Sequence, residues 1–363
     1  MTTSSKPTVI VTGISGNLGR RLLRLLDDFH VIGVDFAAPR SDMPIRFEKI
    51  DLGRESACRQ LVQIIKDSQA RAIVHLAFVI DPLQTGVLDL NRMWQINVAG
   101  TARVMEAITE VNRLHGNVDT FIFPGSVSAY GPETPGPVKE DYALGAHTLP
   151  YAIHKQESDD VVRFRAESLG HCATYLLRPH IFAGASMQNY LIGALRGTPT
   201  GKSKRASRMR LEGKRLPLLM PGKGCLSNRI QFVHVDDMAR LIAHILHRPS
   251  TQKNELNIMN VAGRGDSVTL EQAAQIAGAK IVNLRYRWLM RKVLQFVWDV
   301  GLSGIPPEAL PYLVGSYTMD TTRLKQFLGN DYESVIKYTI IAALEDSMRE
   351  DSNTPIGDAA RTA

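Results

Sequence analysis

The sequence predicts an α/β protein built on a doubly wound parallel sheet, with a smaller C-terminal substrate lobe. Three observations carry that reading. Strand-length apolar runs alternate with stretches of helical spacing through the first half of the chain, the pattern of βαβ units. The first run ends in a glycine string, Gly13-Ile14-Ser15-Gly16-Asn17-Leu18-Gly19, that opens the first helix. The length of 363 residues leaves room for about two domains at ~150 residues each.

Thr8-Val9-Ile10-Val11-Thr12 is short, apolar and rich in β-branched residues, so it reads as a buried strand. Asn17 to Asp28 carries Leu18, Leu22, Leu23, Leu25 and Leu26 at helical spacing. Val31 to Asp35 is a second strand, Ile45 to Ile50 a third, Cys58 to Lys66 a helix, and Ala72 to Leu76 a further buried strand. A long helix is expected from about Leu90 to Leu114, then the strand Thr120 to Phe123. Gly131 to Pro137 reads as a loop past the sheet edge, Tyr151 to Leu169 as a helix, and Ala173 to Leu177 as a strand. Right-handed crossovers then place helices on both faces of the sheet. Beyond Gly184 the periodicity loosens until Gln231 to Val235 and the helix Asp236 to Leu246. From Arg285 to Val300 the chain is amphipathic, with Leu284, Trp288, Val293, Phe296, Val297 and Val300 expected on one face. That face is expected to pack on its own lobe, with an apolar substrate or a membrane edge as the alternatives.

Composition excludes several classes. Hydrophobic residues make up 44% and charged residues 22%, ordinary for a globular chain and far from a wholly disordered one. No apolar run approaches the roughly 20 residues that span a bilayer, and Met1 to Pro7 lacks the apolar core of a secretory signal. The three cysteines, Cys58, Cys172 and Cys225, are odd in number and form no C-x-x-C pair, so neither a disulfide framework nor a zinc knuckle is expected. His244 and His247 sit at i, i+3 without a carboxylate or cysteine at ligand spacing, so no metal site is expected. A cytoplasmic protein is expected. The net charge of +7 is concentrated between Arg196 and Arg229, where ten basic residues face only Glu212. Such a segment is a solvated loop or attracts phosphate groups. From Gly197 to Arg229 it has no interleaved aromatics, which argues against nucleic acid as a partner.

The glycine string has chemistry attached to it. Gly13, Gly16 and Gly19 allow a tight turn, close backbone approach to a pyrophosphate, and close helix–strand packing. Free N–H groups of Ser15, Asn17 and Leu18 then face the anion. Its position between a strand and an amphipathic helix makes the chain a Rossmann-type dinucleotide binder. Asp35 ends the second strand 16 residues after Gly19. A carboxylate there accepts both ribose hydroxyls of NAD and repels the 2′-phosphate of NADP. NAD is therefore expected as cofactor rather than NADP, although Arg20 and Arg40 are cations that can help a phosphate bind. Asp51 and Leu52 follow the third strand and can face the adenine; a simple turn role for Asp51 is the alternative.

Tyr151 and Lys155 are one helical turn apart on one face. A nearby cation favours phenolate, so Lys155 can make Tyr151 a usable base. Ser126 lies 25 residues before Tyr151, after the strand Thr120 to Phe123. There, at the carboxyl ends of the strands, ligands bind in open α/β sheets, and Ser126 can hold the substrate oxygen.

These residues resemble an extended short-chain dehydrogenase/reductase of the NAD-dependent epimerase/dehydratase family. The resemblance runs from about Thr8 to Gly329. It rests on the glycine loop, Asp35, Asp51-Leu52, His75-Leu76-Ala77, Asn97 to Thr101, Ser126 to Gly131, Tyr151 with Lys155, Arg178-Pro179, and Val233 to Asp237. It implies a catalytic set of Ser126, Tyr151 and Lys155. It implies cofactor contacts from Leu76, Ala77, Asn97 and Pro179, besides Tyr151 and Lys155. It also implies a substrate lobe in the C-terminal half, and a homodimer formed through the helices around 90–114 and 151–169. The expected division is 1–7 disordered, 8–184 the dinucleotide-binding domain, 185–349 mainly substrate lobe with segments returning to the first domain, and 350–363 a disordered tail.

Departures from the family pattern narrow the chemistry. Dehydratases of this type carry Asp-Glu after the catalytic Ser or Thr, where this chain has Val127 and Ser128. Nucleotide-sugar members carry Asn three residues after the Arg of Arg178-Pro179, where this chain has Ile181. The Arg four residues before His234 is replaced by Ile230, with Arg229 one step earlier. The expected activity is hydride transfer between a secondary alcohol carbon and NAD, nucleotide-sugar epimerase-like. The alternative is a 3β-hydroxysteroid dehydrogenase-like oxidoreductase acting on an apolar alcohol. A non-catalytic NAD(P) sensor is the rival from another class, and the intact Ser126, Tyr151 and Lys155 set argues against it.

Overall fold

Parallel strands buried on both faces need continuous apolar runs rather than alternating ones, and this chain supplies them where the sheet forms. The computed structural model describes residues 6–39, 45–80, 89–248 and 254–349; Arg40, the first residues and the tail from 350 lie outside them. In chain order the strands are β1 (Thr8–Thr12), β2 (His30–Asp35), β3 (Arg46–Lys49), β4 (Ala72–His75), β5 (Thr120–Pro124), β6 (Glu133–Val138), β7 (Ala173–Pro179), β8 (Ile181–Ala183), β9 (Leu218–Met220), β10 (Arg229–Ile230), β11 (Phe232–His234), β12 (Leu256–Val261), β13 (Val268–Thr269), β14 (Ile281–Asn283) and β15 (Ser316–Met319).

Seven strands form one sheet in the order β12-β7-β5-β4-β1-β2-β3. Every neighbouring pair in it is parallel. The chain runs outward from β1 through β2 to β3, then returns to β4 on the other side of β1. That reversal opens a crevice beyond the carboxyl ends of β1 and β4, the place where such sheets bind ligands. One face of the sheet is covered by helices Ser56–Ser68 and Gly100–Arg113, through Leu61, Ile65, Val104 and Ile108. Helices Asn17–Leu23, Val235–His247 and Thr322–Leu328 cover the other, through Leu22, Met238, Leu241 and Leu324. A third core, with Leu191, Ile192, Met290, Leu294 and Leu310, joins the C-terminal segments to Tyr130 and Leu149. Among the described residues no helix is long and apolar enough to cross a membrane.

The structure corrects four expectations. The long helix from Leu90 is broken into Leu90–Trp94, a π-helical turn Gln95–Ala99, and Gly100–Arg113. A π-turn inserts an extra residue and often marks a functional site; here it carries Asn97 inward. The Gly131 to Pro137 loop is largely strand β6, paired in parallel with β15. Its partner lies far along the chain, so no local signal could reveal it. The basic segment is not one loop, since it holds the helix Lys204–Leu211 and strand β9. The helix Arg287–Asp299 buries Met290 and Leu294, while Trp288 and Phe296 face solvent. The apolar stripe of that helix is wider than the face its lobe can cover.

One buried cation knits the carboxyl ends of the strands together. Arg178, near the end of β7, is 1% exposed and its partner Asp159 is fully buried. Its Nε and Nη2 donate to the two Asp159 oxygens at 2.7 and 2.9 Å. Its Nη1 donates to the Tyr130 hydroxyl at 2.7 Å and to the Glu140 carbonyl at 2.8 Å. Tyr130 passes its proton-side contact to Asn260 Oδ1 at 2.8 Å, and Asn260 N–H donates to Glu140 Oε1 at 3.0 Å. Asp159 belongs to the helix Pro150–Arg165, Tyr130 to the turn after β5, and Asn260 to β12. Breaking a buried pair leaves a desolvated charge, at a cost of about 3–5 kcal/mol. Asp159→Asn is therefore expected to lower the unfolding free energy measured by urea titration by an amount in that range, and the double variant Asp159→Asn/Arg178→Met should recover part of the loss. A double variant no better than the single one would count against the buried charge as the cause.

Candidate active site

The glycine loop closes against the turn that follows β4. Gly13 has φ +70°, and a Cβ there would lie 2.5 Å from the Ala77 nitrogen. A Cβ on Gly19 would lie 2.6 Å from the Ile14 carbonyl. Both positions therefore require glycine for close packing, whereas Gly16, where a Cβ would meet only Gly13 O at 3.1 Å, lies exposed at the mouth of the loop. Asp35 ends β2 beside this loop. Its Oδ2 accepts the Ser15 N–H at 3.1 Å and its Oδ1 the Phe36 N–H at 2.8 Å. Burial pushes its carboxyl above the usual carboxylate range, against the pull of these N–H groups. The Ser15 hydroxyl donates to the Ala37 carbonyl at 2.9 Å.

A buried hydrogen-bond chain fixes the floor of the crevice. The Thr101 hydroxyl donates to the Asn97 carbonyl at 2.6 Å, so its oxygen is left to accept from His75 Nε2 at 3.1 Å. His75 Nδ1 must then accept from the Thr12 hydroxyl, 2.7 Å away, while Thr12 Oγ1 accepts the Ala77 N–H at 3.2 Å. The ring thus works as a neutral imidazole. Burial first, and the Lys155 charge second, press its pKa down to about 3. Asn97 closes the chain: its Oδ1 accepts the Val79 N–H at 2.7 Å and its Nδ2 donates to the Val79 carbonyl at 3.0 Å. The backbone of Leu76 and Ala77 is thereby held against Gly13.

At the end of β5, Ser126 caps a short turn, and its Oγ accepts from Ser128 N at 3.1 Å and from the Ser128 hydroxyl at 2.8 Å. With both acceptor positions used, the Ser126 proton is free to donate. The Ser126 hydroxyl favours the Tyr151 phenolate, although burial is the larger effect and raises the Tyr151 pKa. Pro150 starts the helix that carries Tyr151 and Lys155, where its missing N–H costs nothing. The two side chains share a face, but Lys155 does not reach toward the phenol. Its Nζ donates to the Pro124 carbonyl at 2.7 Å and lies 3.7 Å from the Phe78 ring centroid. Phe78 also meets Tyr151 edge-on at 5.9 Å. In this arrangement burial is the larger influence on both groups. Burial brings Lys155 itself down to about 7, offset in part by Asp159.

Other expected residues have local partners. Asp51 holds the Gly53 N–H at 3.0 Å, the Arg54 Nε at 3.3 Å and the Arg92 guanidinium, a turn-fixing role for its side chain. Leu52 is buried beneath Gly100. Asn17 Nδ2 donates to Ser186 Oγ at 3.0 Å, and its Oδ1 accepts Arg21 Nε at 3.0 Å. Arg21 in turn pairs with Asp236, tying the loop to the C-terminal segments. Leu18 is half-buried beside it, and Pro179 is buried at the end of β7, opposite Val261. Ile181 is half-buried in β8, and exposed Arg229 donates from Nε to Ser267 Oγ at 2.8 Å. Arg20 is exposed on the first helix.

Sequence reading missed Ser128, Phe78 and the Asp159–Arg178 pair. The acidic residue one turn beyond Lys155 was a visible signal for Asp159. Phe78 and Ser128 gave none, since their roles depend on which way the strand-end turns point.

A seven-stranded parallel sheet in this order, with a glycine loop at its reversal point, is the architecture of a Rossmann-type dinucleotide-binding protein. The chain belongs to the NAD dependent epimerase/dehydratase family, which matches residues 9–262. It is 24% identical over 284 residues to a UDP-glucose 4-epimerase of Azospirillum brasilense, covering 75% of this chain and 77% of that protein. It is 26% identical over 162 residues to a D-erythronate dehydrogenase of Cupriavidus necator, covering 40% of this chain and 47% of that protein. Among solved structures, MoeE5 in complex with UDP-glucuronic acid and NAD superposes with a TM-score of 0.63 at 20% identity, covering 94% of this chain and 97% of that one. The Thermus thermophilus UDP-glucose 4-epimerase complex with NAD gives 0.64 at 17%, with the same coverage of both chains. At these identities the superpositions establish the fold.

The buried ammonium yields a test of the site's electrostatics. The folded pKa of Lys155, about 7, lies below its ordinary 10.5. Between those values the unfolded chain binds the extra proton, so this group makes stability rise with pH across that window. Lys155→Met is expected to lack that rise. Denaturation of both proteins at neutral and alkaline pH reads it as a wild-type advantage that grows with pH. Parallel curves would show that Lys155 titrates normally.

Proposed function

We propose that this chain is a nucleotide-sugar epimerase-like enzyme that uses NAD to oxidise and re-reduce a secondary alcohol carbon of a small-molecule substrate. The observation that carries the reading is the line of hydroxyls Ser128, Ser126 and Tyr151 at the carboxyl end of β5, one helical turn from Lys155. The donor set suits a dinucleotide: Gly16 leaves the loop mouth open, and the Asp35 carboxylate lies beside it, where ribose hydroxyls can donate. Gly13, Ser15, Gly16, Asn17, Leu18 and Gly19 would hold the pyrophosphate. Asp35 would take one ribose, and Asp51 with Leu52 would flank the adenine. Leu76, Ala77, Asn97 and Pro179 would line the nicotinamide end, with Tyr151 and Lys155 on its ribose. Bound NAD supplies the hydride acceptor.

The chain's own residues do the rest. Tyr151 takes the proton of the substrate hydroxyl. Ser126, pinned by Ser128, donates to the same oxygen and keeps it oriented as it becomes a carbonyl. With the dinucleotide bound, Lys155 would release the Pro124 carbonyl to hold the ribose and would bring its charge toward the phenol, against the burial that raises the Tyr151 pKa. Val127 and Ser128 supply no acid–base pair for removing water, so dehydration is disfavoured. The C-terminal segments within 185–349, apart from β12 and the helices on the sheet, would form the substrate lobe. Ile181, packed against the apolar core of that lobe, favours a second reading, a steroid dehydrogenase-like enzyme for an apolar alcohol. A homodimer through helices Gly100–Arg113 and Pro150–Arg165 would cover Phe164, which is 89% exposed. The three unpaired cysteines fit a cytoplasmic setting.

Tyr151→Phe is expected to bind NAD as the wild type does, by calorimetry, while turnover falls by about 10²–10⁴-fold. Undiminished turnover would remove Tyr151 from the mechanism. A panel of UDP-sugars and sterols with NAD, followed by absorbance, separates the readings: epimerisation leaves at most a trace of NADH, whereas net oxidation accumulates it in proportion to product. Asp35→Ser is expected to shift cofactor preference toward NADP. A wild type that already prefers NADP would overturn the role given to Asp35.

A further inference from the structure

We propose that the C-terminal lobe docks on an anionic lipid surface through the outer face of the helix Arg287–Asp299 and the basic segment that adjoins it. Trp288, Lys292 and Phe296 follow one another at i, i+4 and i+8, so they form one stripe. That stripe points away from the core, which takes Met290 and Leu294 from the opposite side. Trp288 is 60% and Phe296 64% exposed. Tyr286 stacks on Trp288 at 6.1 Å and extends the aromatic surface, and the Lys292 ammonium lies 5.4 Å over the Trp288 ring. Large aromatics grouped in water mark an interaction surface. Aromatics at the level of lipid headgroups, flanked by lysine and arginine, are the chemistry of an interfacial helix.

Charge selects the occupant. From Leu284 to Val300 the chain has Arg285, Arg287, Arg291 and Lys292 against Asp299 alone, and Arg287 is paired with Glu133 at 3.3 Å. The basic segment meets this helix at both ends. Ser203 N–H donates to the Gly301 carbonyl at 3.0 Å and Gly201 N–H to the Leu302 carbonyl at 3.1 Å. At the other end β14, which leads into the helix, pairs with β9. This brings the exposed Lys202, Lys204 and Arg205 into the same region, with Arg208, whose Nε pairs with Glu212 at 2.7 Å, and Leu211, which is 82% exposed. A second copy meeting this face across a two-fold axis would set like charges against each other, whereas anionic headgroups complement them at about 1 kcal/mol per basic residue. The docking is independent of the catalytic reading, since none of these residues lies in the crevice.

The test is sedimentation of the full-length protein with phosphatidylcholine vesicles, with and without phosphatidylglycerol, at low and high salt. Binding is expected only to the phosphatidylglycerol vesicles, weakened by salt. Trp288→Ser/Phe296→Ser is expected to lower affinity at least tenfold, as is Lys204→Gln/Arg205→Gln/Arg208→Gln. All five positions are exposed, so circular dichroism and the thermal midpoint should match the wild type. Absence of binding at low salt, or variants that bind as the wild type does, would overturn the proposal. So would a dimer in sedimentation velocity that the Trp288/Phe296 variant abolishes while vesicle binding stays unchanged.

Discussion

The site depends on one buried guanidinium. Arg178 stands where β7 delivers its chain to the crevice, and it must be neutralised there or the carboxyl ends of the strands cannot be dry. Asp159 neutralises it through two hydrogen bonds, and Tyr130 and the Glu140 carbonyl take both Nη1 donors. Each partner belongs to a different piece of the site. Asp159 is one turn beyond Lys155 on the helix that carries Tyr151, and Tyr130 is four residues from Ser126. Satisfying a single cation therefore sets the position of the helix against the strand-end turn. That placement brings the Tyr151 phenol to the Ser126 hydroxyl.

The same logic of complete pairing governs the other side of the crevice. The run from Ala77 through Thr12, His75 and Thr101 to Asn97 leaves no hydroxyl free to rotate, because each oxygen is already committed as donor or acceptor. The π-turn at Gln95–Ala99 is what turns Asn97 inward to hold Val79 by both backbone groups. The consequence is a rigid, polar floor below Gly13. Against it lie Phe123, stacked on His75 at 5.6 Å, and Phe78, and both rings face the Lys155 ammonium. An apolar wall and a buried cation side by side explain why Lys155 holds its proton weakly. They also explain why Tyr151 cannot be acidified by proximity along the helix alone.

The molecule thus divides its work. The parallel sheet and its two helical layers are conventional and supply a fixed crevice. The C-terminal segments differ more from what composition suggests. The helix Arg287–Asp299 buries Met290 and Leu294 in the core of these segments but leaves Trp288 and Phe296 exposed. The basic residues beside it are not an unstructured loop but the surface of a helix and strand held to the lobe by main-chain hydrogen bonds.

The sequence by itself determined the fold class, the glycine loop, and the Tyr151–Lys155 spacing. These are local patterns: a buried strand is apolar over five residues, a tight turn demands glycine, and two residues four apart on a helix share a face. The family followed from the order of such patterns. What only the tertiary structure decided depends on partners distant in the chain. The strand β6 exists because β15 lies beside it, and Lys155 turns to Pro124 and Phe78 because burial sets its surroundings. Ser128 acts on Ser126 because a strand-end turn points it there. Trp288 and Phe296 look outward because packing, not periodicity, chose which side of their helix meets the core.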